Sequence, residues 1–314
     1  MIKRANELTF DDKKFSMILY GSPGVGKTTL ALSAPNPVLI DFDNGISRVK
    51  AYHRRLTIVC NNYEEVLKDI RDPAIADCET VIIDTGGSFV SYLQDWAMRD
   101  NPAQNRQKNG AISLKGFGAV KQEFQRFTAT VRDVMKKNVI YIFHSDEQKD
   151  KDGNPQQRLL CEGATRNIVW QPCDFGGYVQ MIGDRRVVSF TPTQEYFAKG
   201  CYGIEGSFEI PTVGAGDSNN FIAKLFQRAK DAINADAEQF ATVNAQYTEL
   251  MRHIGDIVAN VKTAEDATAA AQEIPKLPHV LTSKKEASAM LMERAKSLGF
   301  VWSKEEKAFK DGTV

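Results

Sequence analysis

Eight consecutive residues constrain this chain more than any other stretch. Gly21, Ser22, Pro23, Gly24, Val25, Gly26, Lys27 and Thr28 fit the spacing G-x-x-x-x-G-K-[ST] without a gap. The apolar run from Phe15 to Tyr20 ahead of it predicts a buried strand. Behind it a helix is expected from Gly26 to Ser33, stopped by Ala34-Pro35-Asn36-Pro37. Glycines between a strand and a helix let backbone N–H groups converge on phosphate oxygens. In that frame Lys27 reaches the β- and γ-phosphates, Thr28 holds Mg²⁺ through its hydroxyl, and Thr29 continues the phosphate-binding turn. The implied cofactors are ATP and Mg²⁺.

Three more apolar runs follow, each ending in a polar residue. Val38-Leu-Ile ends in Asp41-Phe-Asp43, Val81-Ile-Ile ends in Asp84, and Val139 to Phe143 ends in His144. Helical patterns separate them. The clearest places Phe117, Val120, Phe124, Phe127, Val131 and Val134 on one stripe. Apolar strands alternating with helices predict an α/β fold with a mostly parallel sheet covered on both faces. Ligands of such sheets bind at the carboxyl ends of the strands, where these polar residues fall.

Asp84 is the acid at a strand tip that reaches the Mg²⁺ water shell. The next residue is Thr85, so a glutamate base is not supplied there. Asp41 and Asp43 alternate along the chain, and the farther one, Asp43, is expected across from the γ-phosphate, where it would polarise the attacking water. The competing reading is a turn held by Asp and Asn side chains before Gly45. A neutral His144 is placed to hydrogen-bond the γ-phosphate and report its loss; the competing reading is an ordinary structural histidine.

Beyond residue 174 the pattern changes. Phe175 to Ile182, Gly183-Asp184 and Arg185 to Thr191 read as a hairpin that adds antiparallel strands at the sheet edge. Phe240, Val243, Tyr247, Leu250, Ile254, Ile257 and Val261 repeat as heptads, either packing back on the core or meeting another subunit. Ser283 to Glu286 reads as a capping box opening a last helix, which ends at Gly299 before a small hairpin. The expected organisation is an ATPase core over 1–218, a helical segment over 219–273 and a small, mainly helical C-terminal piece over 274–314.

Lys+Arg and Asp+Glu are both 40, which excludes a globally basic coat for nucleic acid. No run approaches the length of a membrane span, and Met1 to Glu7 lacks the apolar core of a signal peptide. Five scattered cysteines, 60, 78, 161, 173 and 201, fit no disulfide framework and point to a reducing, cytoplasmic setting. Without a CxxC pair they predict no zinc site.

Together these motifs resemble the RecA-like branch of P-loop ATPases. The stretch from Met17 to about Glu205 is similar to a phage RecA-core family whose members are described as AAA family ATPases or nucleotide-binding proteins. Val38-Leu-Ile-Asp-Phe-Asp-Asn-Gly45, Ile83-Asp-Thr-Gly-Gly87, Leu114-Lys-Gly-Phe-Gly118 and Ser189-Phe-Thr-Pro-Thr193 carry that resemblance with the P-loop. It implies a RecA-like core, a catalytic acid at Asp43, a sensor at His144, and a single-stranded DNA partner. Members include single-strand annealing recombinases, so a single-strand binding protein and a homo-oligomer are implied partners. Lys199-Gly-Cys-Tyr-Gly203 resembles a K-N-R-F-G motif whose basic residues reach a neighbouring subunit's γ-phosphate. Lys199 remains here, whereas Cys201 stands in the arginine position.

DNA-facing loops of such folds follow the second acid and the sensor strand. Residues 97–138 hold nine Lys/Arg against three acids, a local excess that suits phosphate contacts. Arg106, Lys108, Lys115 and Lys121 are the candidate DNA-binding cations, with Phe117 as a base-stacking candidate. Residues 105–110 and 115–118 are expected to be mobile, and 146–158 is expected to be a loop. The expected function is an ATP-hydrolysing recombination protein on single-stranded DNA. The alternative is a P-loop ATPase acting on protein partners, such as a helicase-loader-like accessory. A small-molecule kinase would need an Arg-rich lid, and no compact lid is visible.

Overall fold

The computed structural model describes residues 10, 12–161 and 165–312; the N-terminal heptapeptide read above lies outside them. The chain divides into two compact units, Asp11–Ile233 and a smaller one built mainly from Asn234–Val314.

In the larger unit the order begins β1 (Ser16–Gly21), α1 (Lys27–Ala31), β2 (Pro37–Asp41), β3 (Leu56–Val59), α2 (Tyr63–Asp69) and β4 (Thr80–Asp84). It continues with α3 (Gly86–Asp100), α4 (Pro102–Asn105), α5 (Leu114–Ala129), β5 (Asn138–Lys149), β6 (Pro155–Leu159) and α6 (Thr165–Val169). It closes with β7 (Phe175–Ile182), β8 (Arg185–Ser189), β9 (Ser207–Glu209) and the start of α7 (Phe221–Ala259).

The nine strands form one sheet in the order β3-β2-β4-β5-β1-β7-β8-β9, with β6 paired to the far end of β5. From β3 to β7 every pairing on that path is parallel, while β8, β9 and β6 join antiparallel. This is the mixed, mostly parallel α/β sheet that the alternating pattern predicts. Side chains of β1 alternate across it. Ile18 and Tyr20 face a core shared with Phe89, Leu93, Phe124 and Phe127 of α3 and α5. Met17 and Leu19 face a second core with Leu30 of α1 and Ile222 and Phe226 of α7. Both sheet faces are therefore covered, which is why the central strands are continuous apolar runs.

Several details differ from the sequence reading. Residues 146–158 are no loop: Ser145–Lys149 pairs in register with Pro155–Leu159, closed by a turn in which Asp150 accepts from Asp152 and Asn154. The polar side chains of that hairpin hide its strand character. β3 is a four-residue, mostly exposed edge strand, too short to stand out. Residues 105–110 are held rather than loose, since Asn105 Nδ2 donates to Ala97 O and Gln107 N to Ala111 O. Residues 115–118 belong to α5. The ends of its apolar stripe, Phe117 and Val134, are exposed at 37% and 75%. A π turn at Thr130–Val134 breaks the helical phase there, so Val131 points inward and Val134 outward.

The division between units falls within α7, while the expected boundary at 218/219 lies just ahead of it. The smaller unit packs the last turns of α7 with α8 (Ala264–Glu273), α9 (Ser283–Ser297), β10 (Phe300–Ser303) and β11 (Ala308–Asp311). Leu250, Ile254, Val258 and Val261 fill its core, whereas Phe240 at the head of the heptads is exposed. The capping box stands at Thr263 and Asp266, opening α8. The expected one at Ser283 is absent, because Ser283 is buried inside the helix and its Oγ accepts from Val280 N. Cys60, Cys78, Cys173 and Cys201 are free thiols. No helix among the described residues is long and apolar enough to cross a membrane.

Phe89 is fully buried, and its ring lies 5.0–6.3 Å from those of Phe42, Tyr63, Phe124, Phe127 and Tyr141. Phe89→Ala is expected to cost about 3–5 kcal/mol in urea unfolding. Val134→Ala, at an exposed site, is expected to change stability by no more than about 0.5 kcal/mol.

Candidate functional site

β1 sits between β5 and β7, and its last residue opens the P-loop. Gly21 is required there by contact: a Cβ would lie 2.1 Å from the Val179 carbonyl oxygen of β7. Ser22, Pro23 and Gly24 form the exposed tip, and Val25 turns down into the core. Gly26 is left-handed at φ 88°, which places Lys27 at the start of α1.

Lys27 is 5% exposed. Its Nζ donates to Gly21 O at 2.9 Å and Ser22 O at 2.8 Å. Burial lowers its pKa to about 8, opposed by the charge of Asp84. Thr28 Oγ1 donates to Asp84 Oδ2 at 2.7 Å. Burial raises Asp84 to about 6; the Thr28 hydrogen bond opposes this, and the Asp43 and Asp41 charges reinforce it. The Asp84–Thr85 peptide is cis. A hydroxyl and a carboxylate at hydrogen-bond distance, with few other protein oxygens, suit a Mg²⁺ that keeps most of its waters and takes phosphate oxygens. These residues fit that ion.

The two acids after β2 have separate work. Asp41 is 1% exposed and its carboxylate accepts from Gly45 N at 2.8 Å and Ile46 N at 2.9 Å, so it builds the turn. Asp43 lies on the cavity wall with Lys27, Thr28 and Asp84. Ser88 Oγ donates to Asp43, and Thr85 Oγ1 caps Ser88 N, so the first turn of α3 steadies that carboxylate. His144 pairs in register with Gly21. Its Nδ1 is buried with no hydrogen-bond partner among the described residues. Burial, reinforced by Lys27, lowers its pKa, so the ring is neutral near pH 7.

Gly24, Gly26, Lys27, Thr28, Thr29, Asp43, Asp84 and His144 thus line one cavity of about 200 Å³. Two larger cavities adjoin it. One of about 460 Å³ shares Asp43, Thr85 and His144. The other, about 330 Å³, lies on the Thr29 side and is walled by Arg48 and Arg186. From sequence, Arg185 and Arg186 read as alternatives to Lys199 for a cationic finger or equally as solvated hairpin charges; no pattern singles out Arg48 or Ser88. Strand alternation separates Arg186 from Arg185, but only the sheet order places it beside the P-loop.

Other candidates lie elsewhere. The Lys199 ammonium bonds the Cys173 carbonyl, at the Ser16 end of β1 and opposite Gly21. Arg106, Lys108, Lys115, Phe117 and Lys121 are exposed and line none of the three cavities. The charge excess around them is smaller than the sequence count. Lys137 is buried on the carbonyls of Ile75, Ala76 and Cys78, and Arg99, Arg126 and Arg132 form ion pairs.

The parallel sheet, the glycine loop after β1 and the paired Thr28 and Asp84 define a P-loop nucleotide-binding protein. A family model described as an AAA domain matches residues 13–202, and the chain belongs to that family of P-loop ATPases. No curated protein matches the sequence.

Thr28→Ala and Asp84→Asn are each expected to weaken Mg²⁺-dependent ATP binding about ten-fold or more, leaving Mg²⁺-free binding little changed. Calorimetric titration with and without Mg²⁺ checks this. Gly21→Ala is expected to abolish binding in both conditions, since its methyl group collides with backbone.

Proposed function

We propose that this protein is a Mg²⁺-dependent ATPase that acts on single-stranded DNA in annealing or strand pairing, as a homo-oligomer working beside a single-strand binding protein. The observation that carries the ATPase reading is the convergence of Lys27, Thr28, Asp84, Asp43 and His144 on one cavity. When bound, Mg²⁺ supplies charge neutralisation between the β- and γ-phosphates. Lys27 binds the same phosphates. Asp43, oriented by Ser88, accepts a hydrogen bond from the attacking water. Neutral His144, with its proton on Nδ1, donates from that unpartnered nitrogen to a γ-phosphate oxygen.

The DNA reading is supported by the exposed cations at 106, 108, 115 and 121, which stand beside the exposed Leu114 and Phe117. Cations beside apolar side chains suit a flexible strand that offers both phosphates and base faces. Lys199 lies at the end of β1 away from the P-loop, so it does not reach the nucleotide of its own chain. That geometry supports an oligomer in which Lys199 acts in trans.

Two measurements separate the parts of the proposal. Asp43→Asn is expected to keep ATP affinity near the unaltered value while slowing turnover about 10²-fold or more; Lys27→Ala is expected to lose both. Normal hydrolysis by Asp43→Asn removes it from the catalytic role. For DNA, Lys108→Glu, Lys115→Glu and Lys121→Glu together are expected to weaken single-strand binding. The slope of log affinity against log salt should flatten by about 2, at about 0.7 per lost phosphate contact. Unchanged affinity and slope in filter binding would remove this surface and move the DNA contact to the basic stretch 283–310, whereas no DNA binding by the unaltered protein would leave a protein partner as the object of the ATPase.

A further inference from the structure

Arg186 stands against the glycine loop with a buried nitrogen that no partner among the described residues satisfies. β7 runs parallel to β1 with Tyr20 opposite Tyr178, so the β7–β8 hairpin turns at the same end of the sheet as the P-loop. Along β8 the two arginines point to opposite faces. Arg185 pairs with Glu209 of β9 at 3.7 Å. Arg186 reaches back over the glycine loop. Its guanidinium carbon and two of its nitrogens lie 3.0–3.2 Å from where a Cβ on Gly26 would stand. Its Nε is buried with no hydrogen-bond partner among the described residues. A buried guanidinium N–H without an acceptor is costly, and here it is held at the mouth of a phosphate-binding turn.

The direction of a bound nucleotide follows from the site itself. Asp43, Asp84 and His144 mark the γ-phosphate end. The cavity of about 330 Å³ shares Gly24, Gly26, Thr29 and Arg48 with the cavity they line, extends to Pro211, Thr212 and Phe221 rather than to Asp43, Asp84 or His144, and is large enough for a nucleoside. Arg186 stands on its wall, between those two ends. The cavity is anchored to α1, because Asn219 Nδ2 donates to Thr29 O at 3.0 Å and Ile222 N to Ser33 Oγ at 2.9 Å.

We propose that Arg186 is a phosphate ligand supplied in cis, binding the α/β-phosphate segment of the nucleotide held by the chain's own P-loop. The proposal rests on the nucleotide reading above and adds a residue to it. A planar guanidinium fork suits two phosphate oxygens and cannot lose its charge. With Lys27 it brackets the polyphosphate from the same chain, so tight nucleotide binding needs no neighbouring subunit.

Fluorescent ATP-analogue titration tests this on the full chain, with ADP and inorganic tripolyphosphate as competitors. Arg186→Ala and Arg186→Gln are expected to lose about ten-fold or more in affinity for ATP, ADP and tripolyphosphate alike. Arg186→Lys is expected to recover part of it, and Arg185→Ala to bind as the unaltered protein does. Ligand-free melting temperatures of the Gln and Lys variants guard against a folding defect. Undiminished binding by Arg186→Gln, with Lys27→Ala still defective, would overturn the proposal and leave the nucleotide site standing. Loss of ATP affinity with undiminished tripolyphosphate binding would also overturn it, since Arg186 would then read the nucleoside. If the unaltered protein bound neither ATP nor tripolyphosphate, both readings would fall.

Discussion

A buried ammonium governs the carboxyl edge of this sheet. Lys27 is almost wholly removed from water, and among the described residues its hydrogen-bond acceptors are two carbonyls of its own loop. Burying a charge costs several kcal/mol unless it is paired. The carbonyls and the nearby Asp84 carboxylate offset that cost in the free protein. The same cation leaves them readily for a stronger anion. The loop can present it only because Gly21 lets the Val179 carbonyl approach within a distance that excludes any side chain. The position of β7 against β1 is thus a condition of the site, not a background to it.

The strand order explains the rest of the constellation. β5 separates β1 from β4, so His144 at the level of Gly21 stands between the P-loop and the Asp84 strand. β2 lies beyond β4 and carries Asp41 and Asp43 to the same edge. Asp41 spends its carboxylate on the turn amides, which releases Asp43 to face the cavity. The hairpin on the other flank of β1 brings Arg186 over Gly26.

Much of this was legible in the residues. The P-loop spacing, the acid-tipped strands and the Phe175–Ser189 hairpin are local signals, and each appears where its pattern places it. Asp43 is preferred over Asp41 in sequence only as the one farther out, because strand alternation puts residues two apart on the same face. What escaped notice depends on partners distant in the chain. Lys137 looks like surface charge in sequence, yet it is buried on three carbonyls, because long side chains cover backbone as well as reach water. Ser88 and Arg186 carry no motif, and their places emerge only when strands far apart in sequence become neighbours. The polar strands of the β5–β6 hairpin and the π turn after α5 defeat periodicity, since the one lacks apolar alternation and the other shifts the helical phase.

We infer that the contacts of the free loop, Lys27 on its own carbonyls and Thr28 on Asp84, stand in for a magnesium nucleotide. A crystal structure with Mg²⁺ and a non-hydrolysable ATP analogue tests it most directly. The account predicts the Lys27 ammonium on β- and γ-phosphate oxygens, away from the Gly21 and Ser22 carbonyls, with Mg²⁺ on Thr28 Oγ1 and facing Asp84. An analogue bound outside the Gly21–Thr28 loop, or Lys27 still donating to its own carbonyls beside a bound triphosphate, would contradict it.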